Sequence, residues 1–233
     1  MVTTAIILAG GLGTRLKDTV PMVPKPMAPI NHRPFLEYLM DYWILQGVTK
    51  FILSVGYLKD LIINHFGNTY KDISIEYVVE PDQLGTGGGL LLAAKNLNET
   101  FLVLNGDTFI EVNLNNLYKF HLECKSNWTF AIFRMSQSGR YMSIDVSPNG
   151  EILSLKSDDK KINNYVNGGV YLMEPLVLSL LDYQTGDKAS LEGELLPNYI
   201  SNGGVLHGQE CKGKFIDIGI PEDYYRAIDI LPN

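Results

Sequence analysis

The 233-residue chain has 45% hydrophobic and 19% charged residues, ordinary globular usage that excludes disordered, collagenous and low-complexity classes. Nineteen basic residues against 26 acidic ones leave a net charge of −7; this argues against a nucleic-acid binder or a polybasic membrane-surface protein, so any anionic ligand must be held by local groups. Cys124 and Cys211 form no close-spaced metal or redox motif, and neither an export signal nor a membrane-length apolar run is recognisable, so a reducing compartment, the cytoplasm, is expected.

The first apolar run, residues 5–9, ends at Gly10, Gly11 and Gly13 and predicts a buried strand feeding a loop. Apolar residues at helical spacing from Phe35 to Ile44 predict a helix over 34–46, with Pro34 in its first turn and Gly47 past its end. Further along, the pattern predicts strands over 51–55, 73–79 and 101–105, and helices over 58–66 and 90–97. Such alternation predicts an α/β fold, a mainly parallel sheet with helices on both faces, whose ligands gather at the carboxyl ends of the strands. A helix over 114–125 is followed by short strands over 129–133, 142–146 and 152–155, the last two joined by the hairpin signal Asn149-Gly150. A strand over 170–173 and helices over 175–181 and 221–231 complete a less regular second half. No repeat or Ser/Gly-rich linker divides the chain, so a single domain over 1–233 is expected.

Leu8-Ala9-Gly10-Gly11-Leu12-Gly13-Thr14-Arg15 follows a strand, where glycines free the backbone to aim amide N–H groups at a phosphate chain. It fits neither a dinucleotide fingerprint, because Leu16 stands where the last glycine belongs, nor a Walker loop, which ends in Gly-Lys-Ser/Thr. Three glycines alone also describe a tight turn; Arg15 adds a guanidinium fork suited to phosphate oxygens. Lys25 is stiffened by Pro24 and Pro26, although an isolated lysine reads as a solvated loop residue.

Together, Gly-Gly-x-Gly-Thr-Arg-Leu and Pro-Lys-Pro resemble the signature of the sugar nucleotidyltransferases. The resemblance continues, in family order, through Glu80 with Leu84-Gly85-Thr86-Gly87-Gly88, Asn105-Gly106-Asp107, Asn167-Gly168-Gly169-Val170-Tyr171, Ser190-Leu191-Glu192 and Asp217-Ile218-Gly219. It implies a Rossmann-like nucleotide-diphospho-sugar transferase fold of the GT-A-like kind, with a nucleotide-binding half over about 1–110 and a sugar-binding half over about 111–233. The implied reaction joins a sugar 1-phosphate to a nucleoside triphosphate with loss of pyrophosphate. Two polyanions must then meet, and their repulsion in a partly dry site must be offset by cations and oriented dipoles.

On this resemblance, Arg15, Lys25 and Asp107 are catalytic, and Leu8 to Thr14, Glu80 and Gly85 hold the nucleotide, with Gly85–Gly89 letting backbone approach the nucleoside. Asn167, Gly168 and Glu192 contact the sugar, Glu194 being the lesser candidate. Asp107 and Asp217 hold Mg²⁺, which takes one or two carboxylates plus phosphates; by itself, an aspartate after glycine reads as a turn residue. Glu80 favours GTP, because guanine offers adjacent N1–H and N2–H donors to a carboxylate; Gln83 nearby is an alternative suited to a mixed donor and acceptor edge. Pro34 to Leu39 and Leu84 to Gly88 resemble most the family's guanylyltransferases, but members acting on heptose, mannose or N-acetylmuramic acid 1-phosphates share nearly all these motifs. Tyr224 and Tyr225 suit a homodimer interface or core packing equally.

Overall fold

The computed structural model describes residues 1–13, 15, 16, 19–135, 141–156 and 164–231. The first half runs β1 (Thr4–Leu8), a 3₁₀ turn (Lys25–Met27), β2 (Pro29–Ile30), β3 (Arg33–Pro34), α1 (Phe35–Leu45), β4 (Lys50–Val55), α2 (Lys59–Phe66), β5 (Thr69–Tyr70), β6 (Ile73–Val79), α3 (Gly85–Ala94) and β7 (Phe101–Asn105). It continues with β8 (Thr108–Ile110), α4 (Leu114–Glu123), β9 (Trp128–Met135), β10 (Ser143–Val146), β11 (Ile152–Lys156), β12 (Asn164–Met173), α5 (Leu176–Ser179), α6 (Leu196–Ser201), β13 (Leu206–Glu210), β14 (Phe215–Asp217) and α7 (Pro221–Ile230).

The central strands are apolar throughout because both faces of the sheet are covered. Side chains alternate across a strand, so Ala5 and Ile7 of β1 join Phe51, Leu53 and the α1 residues Phe35, Leu36 and Trp43 on one face. Ile6 turns the other way, toward Ile52, Val103 and the α3 residues Leu90 and Ala94. The expected parallel order is present at the centre, where β7, β1, β4 and β6 lie side by side. The second half joins through β12, which is antiparallel to β7, and through β9 and β10, which pair with β12. The Asn149-Gly150 turn does join the antiparallel β10 and β11, with Gly150 at φ 86°. Apart from this sheet, β8 and β14 form their own antiparallel ladder.

Three local expectations need correction. The helix expected over 90–97 runs instead over Gly85–Ala94, because its glycines are contact surfaces and not breakers. Gly87 N–H and Gly88 N–H both donate to the Ala189 carbonyl, at 2.8 and 3.1 Å. A Cβ at Gly85 would stand 2.6 Å from that carbonyl oxygen, and one at Gly88 would run into the Asp187 carbonyl. The helix expected over 175–181 is confined to Leu176–Ser179, and the strand expected over 170–173 begins at Asn164. Tyr224 belongs to the core, its hydroxyl donating to the Pro29 carbonyl at 2.6 Å, whereas Tyr225 is exposed. Among the described residues, no helix is long and apolar enough to cross a membrane.

In an isolated helix, glycine to alanine gains about 1 kcal/mol. Here Gly88→Ala is expected to cost about 1–3 kcal/mol instead, since the new methyl meets backbone that cannot move independently. Urea unfolding reads the sign, and a gain in stability would contradict the close docking of 187–189 on α3.

Candidate active site

The four parallel strands end along one edge and deliver Leu8-Ala9-Gly10, Gly56, Glu80 and Asn105-Gly106-Asp107 to it. Backbone bonds lash these segments together: Ala9 N–H donates to the Ser54 carbonyl at 2.8 Å, and Gly106 N–H to the Leu8 carbonyl at 3.0 Å. Glycine is required at 106 because a Cβ there would lie 2.6 Å from the Leu8 oxygen. A cleft of about 310 Å³ opens over this edge, lined by Leu8, Ala9, Gly10, Gly11, Gly13, Lys25, Glu80, Gly85, Asp107 and Glu192, together with Gln83, Thr86 and Asn105.

Lys25 stands on the 3₁₀ turn between two prolines, and its Nζ donates to Asp107 Oδ2 at 2.6 Å. With side chains 12% and 30% exposed, this pair is shielded more than a surface bridge but remains open to the cleft. Gly13, at φ 60°, packs where a Cβ would come 3.2 Å from Lys25 Cβ, so the glycine loop and the lysine are built against each other. Glu80 Oε1 accepts the Ser54 hydroxyl at 3.1 Å and Oε2 accepts Leu84 N–H at 3.1 Å. A Cβ at Gly10 would collide with its carboxylate. Burial raises the Glu80 pKa above its usual range, against the opposing effect of those two donors. Each oxygen keeps a lone pair for a further donor.

A second cavity of about 330 Å³ adjoins the first and shares Asn105, Asp107 and Glu192 with it; Arg15, Thr108, Tyr141, Met142, Asn167, Gly169, Phe215 and Asp217 complete its wall. Asp217 arrives by backbone pairing. In the β8–β14 ladder it stands opposite Thr108, and Ile218 N–H donates to the Asp107 carbonyl at 3.0 Å. Across the two cavities, the described wall carries four carboxylates, Glu80, Asp107, Glu192 and Asp217, against two cations, Lys25 and Arg15. Phosphate groups entering such a wall need further positive charge. Two hard carboxylates on one cavity fit Mg²⁺, which fills its remaining positions with phosphate oxygens and water. The described residues contain no cluster of three or more His, Cys, Asp or Glu side chains suited to a metal.

Glu192 and Asn167 converge on one phenol: Asn167 Nδ2 donates to the Tyr171 hydroxyl at 2.6 Å, and that hydroxyl donates to Glu192 Oε1 at 3.1 Å. Glu194 accepts Ser190 N–H at 2.8 Å and serves the local turn, so Glu192 is the glutamate presented to both cavities. The structure does not bring every expected residue to a wall. Gly168 packs where a Cβ would be 2.8 Å from the Ala131 carbonyl, and Gly169 lines the cavity in its stead. Leu12 borders a smaller depression with Leu16 and Tyr57, and Thr14 lies outside the described residues. Of Gly85–Gly89, Gly85 and Thr86 line the first cavity, and the other three glycines line neither.

Sequence reasoning left Asn105, Tyr171, Tyr141 and Phe215 without a role. Asn105 carried a signal, as the polar end of an otherwise apolar strand at the ligand edge. Tyr171 ends the Asn167-Gly168-Gly169-Val170-Tyr171 motif. Tyr141 and Phe215 enter only through tertiary packing, their rings meeting edge to face at 5.5 Å.

The nucleotidyl transferase family profile matches residues 4–233. The chain is 37% identical over 227 residues to the D-glycero-alpha-D-manno-heptose 1-phosphate guanylyltransferase of Aneurinibacillus thermoaerophilus, covering 96% of each. It is 38% identical over 226 residues to the protein of the same name from Campylobacter jejuni subsp. jejuni serotype O:2, covering 96% of this chain and 98% of that one. The crystal structure of HddC from Yersinia pseudotuberculosis complexed with GMP-PN superposes with a TM-score of 0.85 at 34% identity, covering 98% of this chain and 99% of that one.

The raised Glu80 pKa has a definite consequence for stability. Folded protein holds this proton more tightly than unfolded chain, so the contribution is present below the ordinary value of 4.5 and is lost as pH rises through the folded pKa. Relative to Glu80→Gln, which does not titrate, the wild type is expected to lose stability on going from below pH 4.5 to neutral pH. Paired urea titrations measure this difference, and a constant difference would contradict the buried carboxylate.

Proposed function

This chain belongs to the nucleotidyl transferase family, and we propose that it transfers a guanylyl group from GTP to D-glycero-α-D-manno-heptose 1-phosphate, giving GDP-heptose and pyrophosphate. The observation that carries the reaction class is the meeting of two cavities at Asp107, beside the Lys25 ammonium. The choice of substrates follows the near-full-length relatives and the Glu80 carboxylate on the wall of the first cavity. GDP-heptose made in the cytoplasm would supply bacterial surface polysaccharide.

In this reading the first cavity takes GTP. Backbone amides of Gly10, Gly11 and Gly13 face the phosphates, and Glu80 accepts N1–H and N2–H of guanine. The second takes the sugar, with Asn167, the backbone at Gly169, and Glu192 meeting its hydroxyls. A phosphate oxygen of the sugar phosphate attacks the α-phosphorus in line; that O–P bond forms as the bond from the α-phosphorus to the bridging oxygen breaks, and pyrophosphate leaves. The attacking oxygen is already ionised, so no protein base or covalent nucleophile is needed, and positioning with charge neutralisation supplies the acceleration. Lys25 neutralises charge at the α-phosphate and the incoming phosphate, with Arg15 serving the phosphates at the second cavity. Asp107 and Asp217 would hold Mg²⁺, which when bound supplies the positive charge that the acidic wall lacks.

Turnover across four nucleoside triphosphates and several sugar 1-phosphates, with products identified by mass spectrometry, is expected to favour GTP with the heptose; preference for UTP would overturn the base assignment. Lys25→Met is expected to lower kcat by about 10²–10³, the scale of losing one charge-stabilising donor. Removing divalent cations should abolish turnover and Mg²⁺ should restore it. Asp217→Asn should raise the Mg²⁺ concentration needed for half-maximal rate, and an unchanged requirement would remove Asp217 from the metal site.

A further inference from the structure

We propose that the Tyr171 hydroxyl is a positioning group for sugar recognition, acting on the reaction by holding the Glu192 carboxylate at the junction of the two cavities. The inference rests on the functional reading above and assigns a role to a side chain that lines neither cavity.

Tyr171 is fully buried, and its ring packs edge to face against Phe130 at 4.8 Å and Trp128 at 6.5 Å. A phenol has one proton to donate and two lone pairs to accept with. Here the hydroxyl accepts from Asn167 Nδ2 at 2.6 Å and donates to Glu192 Oε1 at 3.1 Å, with the Asn105 side chain beside it. Burial, with Glu192 beside it, raises the Tyr171 pKa well above the ordinary phenol value, so the proton that orients Glu192 stays on oxygen at working pH. The ring is held by apolar packing on one side, and the hydroxyl projects to the one place where Asn105, Asn167 and Glu192 converge.

Glu192 needs such a hold. It sits in a single π-type turn, Leu191–Leu195, whose wider winding turns local backbone away from regular helix. The turn itself is anchored: Leu191 N–H donates to Thr86 Oγ1 at 2.9 Å and Gly193 N–H to Ser190 Oγ at 3.0 Å. The Glu192 carboxylate, by contrast, receives no hydrogen bond from the described residues other than that of Tyr171. One oxygen is thus fixed by the phenol while Oε2 is left for sugar hydroxyls. Asn167 is braced in the same way, its Oδ1 accepting Gly169 N–H at 3.0 Å while its amide nitrogen is tied to the phenol.

Tyr171→Phe keeps the ring and removes only the hydroxyl. The expected result is a KM for the sugar 1-phosphate raised roughly ten- to thirtyfold, the scale of a lost hydrogen bond to a charged group, with the KM for GTP within about twofold of wild type. In a Glu192→Ala background, the same change is expected to add less than about threefold, because the carboxylate it holds is gone and Asn167 keeps its own brace through Gly169 N–H. A loss of packing alone would move both KM values together; that outcome, an unchanged sugar KM, or an undiminished effect in the Glu192→Ala background would each overturn the proposal. If turnover requires a sugar 1-phosphate other than the heptose, the heptose reading fails while the same comparison, made with that sugar, still decides Tyr171. If no sugar phosphate turns over, calorimetric binding of sugar 1-phosphates to wild type and Tyr171→Phe decides it, and a wild type that binds none overturns both.

Discussion

The 2.6 Å bridge between Lys25 and Asp107 is the interaction around which the rest is arranged. A lysine ammonium held inside a cleft needs a counter-charge, and a carboxylate beside a phosphate site needs a cation; each meets the requirement of the other. The surrounding backbone maintains this pairing from both sides. Gly13 and Gly106 keep the loop and the β7 end close to the Lys25 turn, and the bond from Ile218 N–H to the Asp107 carbonyl ties the far end of the chain to the same point. If either segment withdrew, the site would keep its charges but lose their mutual placement.

The acid-rich wall deserves comparison with the overall charge of the chain. A protein of net charge −7 offers no long-range attraction to phosphates, and the two cavities are themselves lined by more carboxylates than cations. Local geometry therefore has to reverse the global field. In the proposed reaction Lys25, Arg15, the loop amides and a divalent cation would do so over a few ångströms, where screening by water is weakest. Glu80 and Glu192 take the opposite part: as acceptors they suit ligand groups that donate, which in the proposed reaction are a base edge in one cavity and sugar hydroxyls in the other.

Glycine has two different uses in this fold. In the loop after β1 it permits a positive φ at Gly13 and removes a side chain where the Glu80 carboxylate meets Gly10. In α3 it removes side chains so that the backbone of 187–189 can dock and present the turn carrying Glu192. The second use explains why a segment rich in helix-weakening residues is nevertheless helical: close packing and two shared hydrogen bonds to the Ala189 carbonyl outweigh a propensity cost of about 1 kcal/mol per glycine.

Periodicity and loop chemistry alone made much of this legible. Runs such as Phe101–Asn105 have the apolar character of strands covered on both faces, and the Lys25 turn announces itself by its two prolines. Local signals do not distinguish a glycine that breaks a helix from one that accepts a neighbour, so they place the start of α3 at 90 and not at Gly85. Nor could they show that Gly168 faces protein while Gly169 faces the cavity, since a register irregularity between Asn167 and Tyr171 decides it. The amino-acid order by itself determined the strand and helix alternation and the chemical types at the ligand edge, because both depend on neighbours along the chain. Only the tertiary structure decided that Asp107 and Asp217 share a wall and that Tyr171 joins Asn167 to Glu192, because those contacts arise from strand pairing between segments remote in sequence.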